Sequence, residues 1–275
     1  LMLIDLHTHS TFSDGTFTPE ALVRLAKAKN VKVLALTDHD TVAGVPSFMS
    51  ACKKYGLQCI SGIELSADAP WTVHIAGYRM GGDLAAMDLE LEGIRRKRDE
   101  RNRKMCDRLG ELGMDVSMEE LRDEAGGDVI ARPHMAGVML KKGFVSSRAD
   151  AFARFLGKDG AAYVSRERLS AAGCIDLVKR SGGLPVLAHP DQMAIDDDEK
   201  VEFISELADM GLWGLECISG RQDHSRTLFW MGVAKKLRLF QTAGSDFHGN
   251  ARPGASLGVS VSDTLLPWAR LGVLI

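Results

Sequence analysis

Hydrophobic positions follow two rhythms along this chain. From residue 2 to about residue 80, short apolar runs alternate with longer amphipathic stretches. Met2–His7, Val33–Asp38, Gln58–Leu65 and Trp71–Tyr78 read as strands. Pro19–Lys29 and about Val42–Tyr55 read as helices between them, the first with Thr18 as N-cap and Pro19 at its first helical position. Strands separated by helices of this length predict a parallel sheet. At Gly81-Gly82 the rhythm changes: from about Leu84 to Phe155 the sequence is charged and helical. Leu84–Leu112 is the longest helix expected there, and Lys141-Lys142-Gly143 marks a helix end. The alternation then resumes, with helices over Leu169–Ser181, Glu202–Met210 and Gln222–Lys236 and strands over Leu184–His189, Gly214–Ile218 and Leu239–Ser245. The expectation is an α/β domain split in sequence, residues 1–86 and 166–275, carrying a helical insertion over residues 87–165.

Composition narrows the class. A chain of 275 residues with 45% hydrophobic content can bury one sizeable core, and 26% charged residues with a net charge of −3 argue against a disordered chain or a nucleic-acid coat protein. Cys52, Cys59, Cys106, Cys174 and Cys217 are odd in number and form no CxxC pair, so they read as reduced core residues. No signal-like segment and no membrane-length apolar run stand out, which points to a cytoplasmic protein.

The informative polar residues fall at the ends of the expected strands. His7-Thr8-His9 closes the first, and residues two apart on an extended chain share a face, so both imidazoles can reach one metal. Asp14 follows. Thr37-Asp38-His39-Asp40 closes the second strand and Gly62-Ile63-Glu64 the third, while His74 lies in the fourth. Ala188-His189-Pro190 and Ser245-Asp246-Phe247-His248 close two later strands. In parallel β/α folds such ends share one face, where sites form. A lone histidine after a strand is usually a hydrogen-bonded structural residue, and Asp14 or Asp40 alone suits a helix cap. A chance origin for the whole set is much harder to sustain. Histidines and carboxylates without thiolates suit zinc, manganese or iron, and the number of candidates suggests two or three divalent ions with Glu64 as a bridge.

These motifs resemble those of the polymerase-and-histidinol-phosphatase (PHP) superfamily, and more narrowly its small bacterial phosphoesterases that act on nucleotides. The resemblance covers nearly the whole chain, His134 in the insertion included. It implies a distorted (β/α)7 barrel and up to three metals: one on His7, His9, Glu64 and Asp246, one on Glu64, His74 and His134, and one on Asp14, His39 and His248. Asp14 stands where some members carry histidine. His189 and Arg132 would face the substrate phosphate.

The implied reaction is phosphoester hydrolysis, in which a hydroxide activated by metal attacks phosphorus. Arg132 would clamp phosphoryl oxygens, and His189 is the candidate acid for the leaving oxygen. In the basic run Arg95–Lys104, Arg98 and Arg101 share a helix face and are candidates for a phosphate-contacting wall, although interleaved Asp99 and Glu100 equally suit a solvated face. His224, after the sixth strand, is a substrate candidate or an ordinary helix start. Trp71 and Phe247 suit either base stacking or packing. The expected substrate is a small phosphorylated molecule, a nucleoside monophosphate or 3′,5′-bisphosphate. The alternatives are a 5′–3′ exonuclease on an oligonucleotide end, a histidinol-phosphate phosphatase, a metal-dependent amidohydrolase or a non-catalytic PHP module. No membrane association and no obligate protein partner are expected.

Overall fold

The computed structural model describes residues 1–125, 129–165, 167–252 and 254–274. Residues 126–128 of the expected insertion, and residues 166, 253 and 275 of the second barrel segment, lie outside the described residues. In chain order the elements are β1 (Met2–Ile4), α1 (Pro19–Ala28), β2 (Val33–Leu36), α2 (Val45–Tyr55), β3 (Gln58–Asp68), β4 (His74–Tyr78), α3 (Leu84–Glu111), α4 (Met118–Ala125), α5 (Arg132–Lys141), α6 (Arg148–Ala151), β5 (Leu169–Ser170), α7 (Ala171–Arg180), β6 (Leu184–Leu187), α8 (Asp197–Asp209), β7 (Gly214–Ser219), α9 (His224–Lys236), β8 (Phe240–Gly244), β9 (Val259–Val261) and α10 (Trp268–Leu271).

The main sheet runs β2-β3-β4-β6-β7-β8, with β5 paired to β3. The chain just after β1 fills the gap between its two edges. Asp5 donates its N–H to Val33 O and accepts from Ala35 N–H, while Leu6 N–H donates to Ala243 O. This seventh stave closes a distorted (β/α)7 barrel. β1 itself pairs antiparallel with β9, a short strand the sequence reading did not anticipate.

The sheet is mixed, which corrects the all-parallel expectation. β4 runs antiparallel to both β3 and β6. Only residues 69–73 join β3 to β4, and so short a link can reverse the chain but cannot carry a parallel crossover. The reversal matters for chemistry: it pairs His74, the first residue of β4, with Ser66 near the end of β3. His74 thus reaches the same face as the carboxyl ends of the parallel strands.

The cysteine expectation is also corrected. Cys52 and Cys59 form a disulfide. α2 ends on Gly56, whose φ of 61° turns the chain straight into β3 and brings the two Cα atoms to 6.2 Å, within bonding range. Cys106, Cys174 and Cys217 are buried and outside any disulfide among the described residues.

The barrel and the helical segment have distinct cores. Met105, Leu109, Leu121, Met135, Met139 and Leu156 pack together in the helical segment. Ile63, Leu65, Ile75, Leu187, Leu215 and Trp230 belong to a cluster on the barrel. α3 ties the two together, burying Met87 and Leu91 in the barrel cluster and Met105 and Leu109 in the helical one. Among the described residues, no helix is long and apolar enough to cross a membrane.

Candidate metal centre

His7 and His9 lie on the seventh stave, and the Thr8 hydroxyl between them donates to Ala35 O at 2.6 Å on the other side. Period-two alternation therefore aims both imidazoles inward, as the sequence predicts. His7 Nε2 stands 3.3 Å from Glu64 Oε1, and His9 Nε2 stands 3.3 Å from Glu64 Oε2 and 3.4 Å from Asp246 Oδ1. His39 Nδ1 and His74 Nδ1 each lie 3.0 Å from a Glu64 oxygen. His248 Nε2 is 3.2 Å from Asp14 Oδ1. Among the described residues, three groups have donor atoms within 4.8 Å of one another: His7, His9, Glu64 and Asp246; His9, Asp14, His39 and His248; and His39, Glu64 and His74. Glu64 belongs to two of them.

The donors fit divalent cations on a structural test. His7 Nε2, both nitrogens of His9, Asp14 Oδ1, His39 Nδ1, Glu64 Oε2, Asp246 Oδ1 and His248 Nε2 are buried without a hydrogen-bond partner. Buried polar atoms are normally satisfied, and so many orphans aimed at common points are the signature of a site that takes a cation.

Protonation follows from the crowding. Burial disfavours the charged form of every group here, but Glu64 and Glu216 outweigh it at His7 and hold that ring well above its ordinary pKa. His248 is also raised, by Asp14 and Asp246 against burial. Burial, then the neighbouring His248 and His39, drives His9 well below its ordinary value, and burial brings His74 down to about 4. Glu64, Asp14 and Asp246 are held well below the carboxylate range because the surrounding imidazoles overcome burial.

Other expected site residues fall in varied places. His189 sits deep, its Nε2 2.8 Å from Glu64 Oε1 and 3.2 Å from His74 Nδ1, so it adjoins the donor cluster. His134 is buried at the start of α5 outside the three groups, and its Nδ1 accepts the Ala131 N–H at 3.1 Å. Burial lowers its pKa. A cavity of about 510 Å³ opens beside Asp14, His39 and His74 and is lined by Arg98, Arg101 and Arg132. Arg98 is ion-paired with Asp40. Arg132 donates to Leu156 O and lies 5.7 Å from each of the Phe152 and Tyr163 ring centroids. His224 is the exposed first residue of α9, capped by Asp223, and does not line this cavity. Trp71 lines it, whereas Phe247 packs against Phe17.

Sequence reasoning missed several residues. Glu216 places Oε2 2.7 Å from His7 Nδ1. A lone carboxylate within Gly214-Leu215-Glu216-Cys217-Ile218, an otherwise apolar strand, was the available signal. Arg252 pairs with Asp246, and Arg168 and Lys158 join the cavity wall.

Known proteins resemble this chain in sequence and fold. The model of the PHP domain matches residues 5–117. A 5′-3′ exoribonuclease of Haemophilus influenzae is 32% identical over 89% of this chain and 89% of its own length. A 3′,5′-nucleoside bisphosphate phosphatase of Chromobacterium violaceum is 30% identical over 93% of this chain and 90% of its own. A solved amidohydrolase structure from Chromobacterium violaceum, with bound sulfate and no metal, superimposes with a TM-score of 0.86 at 29% identity, covering 98% of this chain and 95% of that one. With a PHP-domain match at its start and this identity over nearly the whole length of both chains, the chain belongs to the PHP domain family.

Proposed function

We propose that this protein is a metal-dependent phosphoesterase that hydrolyses phosphate esters of nucleotides, nucleoside monophosphates or 3′,5′-bisphosphates. The observation that carries the reading is the orphaned histidine and carboxylate cluster around Glu64, opening into a cavity walled by arginines. His7, His9, Glu64 and Asp246 would hold one cation, and Asp14, His39 and His248 a second. Glu64 and His74 would hold a third, with His134 as its expected further ligand and His39 and His189 the nearer imidazoles. The all-nitrogen-and-oxygen donor set suits manganese, iron or zinc. Divalent ions held there supply a nucleophile at neutral pH and take up charge on the phosphoryl oxygens.

The protein's own groups then divide the work. Arg132, fixed by Leu156 O and two flanking rings, presents its guanidinium to a substrate phosphate. Arg98 and Arg101 extend that wall. His189 holds the proton for the leaving oxygen. The segment 87–165 acts as an insertion that covers the centre, since Arg98, Arg101, Arg132, Phe152, Lys158 and Tyr163 line the same cavity as the barrel's His39 and His74. A cytoplasmic location, where nucleotides are abundant, is part of the same proposal.

A second reading, trimming of 5′-phosphorylated RNA, is supported by the Haemophilus relative, because the bond cleaved is similar and only the leaving group differs. Hydrolysis of a C–N bond, suggested by the name of the Chromobacterium structure, has less support because the residue common to two of the donor groups around the proposed bridge is a carboxylate, Glu64, not a lysine. The test is an assay of protein loaded in turn with manganese, iron and zinc. Substrates are nucleoside monophosphates, 3′,5′-bisphosphates, histidinol phosphate and 5′-phosphorylated RNA. Phosphate release from the nucleotides is expected. Silence across the whole panel would leave the non-catalytic module as the better description.

A further inference from the structure

We propose that Glu216 is a positioning residue for the metal centre, fixing the tautomer and orientation of His7 so that Nε2 is aimed at Glu64 and Asp246. The proposal rests on the reading of His7 as a metal ligand. Glu216 lies in β7 between Leu215 and Cys217, both fully buried, and is itself 1% exposed. Burying a carboxylate is costly unless hydrogen bonds compensate it. Its Oε2 lies 2.7 Å from His7 Nδ1, and its Oε1 accepts the backbone N–H of His189 at 3.4 Å. Alternation along β7 turns this side chain inward, and the register of β7 against β8 shifts just after it, between Glu216 and Ile218.

A neutral imidazole carries one proton. With Nδ1–H donated to Glu216, the lone pair resides on Nε2. That atom is one of the buried orphans, 3.3 Å from Glu64 Oε1 and 3.6 Å from Asp246 Oδ1. His9 makes a useful contrast, since neither of its nitrogens has a hydrogen-bond partner and only its neighbours hold the ring. His248 is oriented another way, its Nδ1 lying 2.8 Å from the backbone oxygen of Asp246. Glu216 is thus a side-chain carboxylate that sets a candidate ligand from outside the cluster, and such outer partners fix ring orientation and raise ligand basicity.

The experiment compares the full-length wild type with Glu216→Gln and Glu216→Leu. Metal affinity is measured by chelator competition on the apoprotein, and the His7 Nδ1–H resonance is followed in the zinc-loaded protein. Affinity should weaken by about 10-fold in Glu216→Gln, whose amide oxygen can still accept the N–H, and by about 100-fold in Glu216→Leu. The Nδ1–H resonance should move in the first variant and lose its protection from exchange in the second. Melting temperatures of the apoproteins check that both variants fold, and Glu216→Gln alone decides the matter if the leucine variant does not. Affinity within twofold of wild type in Glu216→Gln, with an unmoved resonance, overturns the inference. A wild type that binds no divalent ion sinks the metal-centre reading itself and the inference with it, an outcome distinct from wild-type binding that Glu216 does not influence.

Discussion

Two layers of buried carboxylates meet at the strand ends. In the lower layer Asp5 accepts from the backbone N–H groups of His7, Ser245 and Gly258 and from the Ser245 hydroxyl. Asp38 accepts from Ser10 N–H and from the hydroxyls of Ser10 and Ser13. These residues pin the loops that carry the histidines. In the upper layer Glu64, Asp14 and Asp246 are just as buried, yet each keeps an oxygen with no hydrogen-bond partner and faces imidazoles instead. The titration of the two layers differs accordingly. Burial, only partly offset by its hydrogen bonds, pushes Asp5 up to about 6, and burial raises Asp38 as well. The upper three are held well below the usual range by their histidines. Residue type and burial do not separate a ligand from a pin; the kind of partner does. A pin stabilises the fold through completed hydrogen bonds, whereas a ligand leaves its bonds open for a cation.

The largest effect should come from Glu64→Ala. Turnover of the best phosphate ester should fall by about 10³-fold or more, because the proposed bridging group would serve more than one ion. Metal content after gel filtration should fall with it, and near-normal activity would break the contrast. Next, loading the apoprotein with metal at about 100 times its Kd should raise stability by about 2.7 kcal/mol, read as an upward shift in the thermal unfolding of the same sample. A similar magnitude is expected for Asp38→Ala with no metal present. It strands one N–H and two hydroxyls, and a loss of about 3 kcal/mol in urea unfolding follows. Glu64→Gln, measured the same way, should be neutral or stabilising. If the two variants cost the same in the apoprotein, the layers are not distinct.

A smaller effect concerns pH. His7 and His248 hold protons more tightly than ordinary histidines, so metal must displace those protons. Affinity should therefore rise with pH and level off once both rings are neutral. Calorimetry in two buffers of different ionisation enthalpy should show net proton release, and no buffer dependence would count against it. The smallest effect is His224→Ala, where stability should change by less than about 0.5 kcal/mol and kinetics should stay unchanged. A raised KM there would extend the site beyond the cavity that Arg132 lines.

Much of this molecule was legible locally. The spacing of His7 and His9 is a period-two statement about one strand, and the strand-helix alternation located Glu64, His39 and Asp246 at ends that converge. Thr18 and Pro19 marked the start of α1, as observed. The barrel type and the three proposed ligand sets came from the family resemblance. Elsewhere the hydrophobic pattern alone did not decide the outcome. The direction of β4 depended on the short link after β3, and that link brought His74 to the site face. The Cys52–Cys59 bond depended on the left-handed turn at Gly56. Arg98, read as a substrate contact or a solvated face, is buried and ion-paired with Asp40 while it lines the cavity, a pairing no local pattern announces.

Sequence by itself determined which residues have the chemistry to bind metal and roughly where on each strand they stand, because strand period and capping are set within a few residues. Only the tertiary structure decided which buried carboxylates are hydrogen-bonded pins and which keep an oxygen without a partner, and that Glu216 reaches His7 across 209 positions, because hydrogen-bond partners at that range exist only once the barrel has closed.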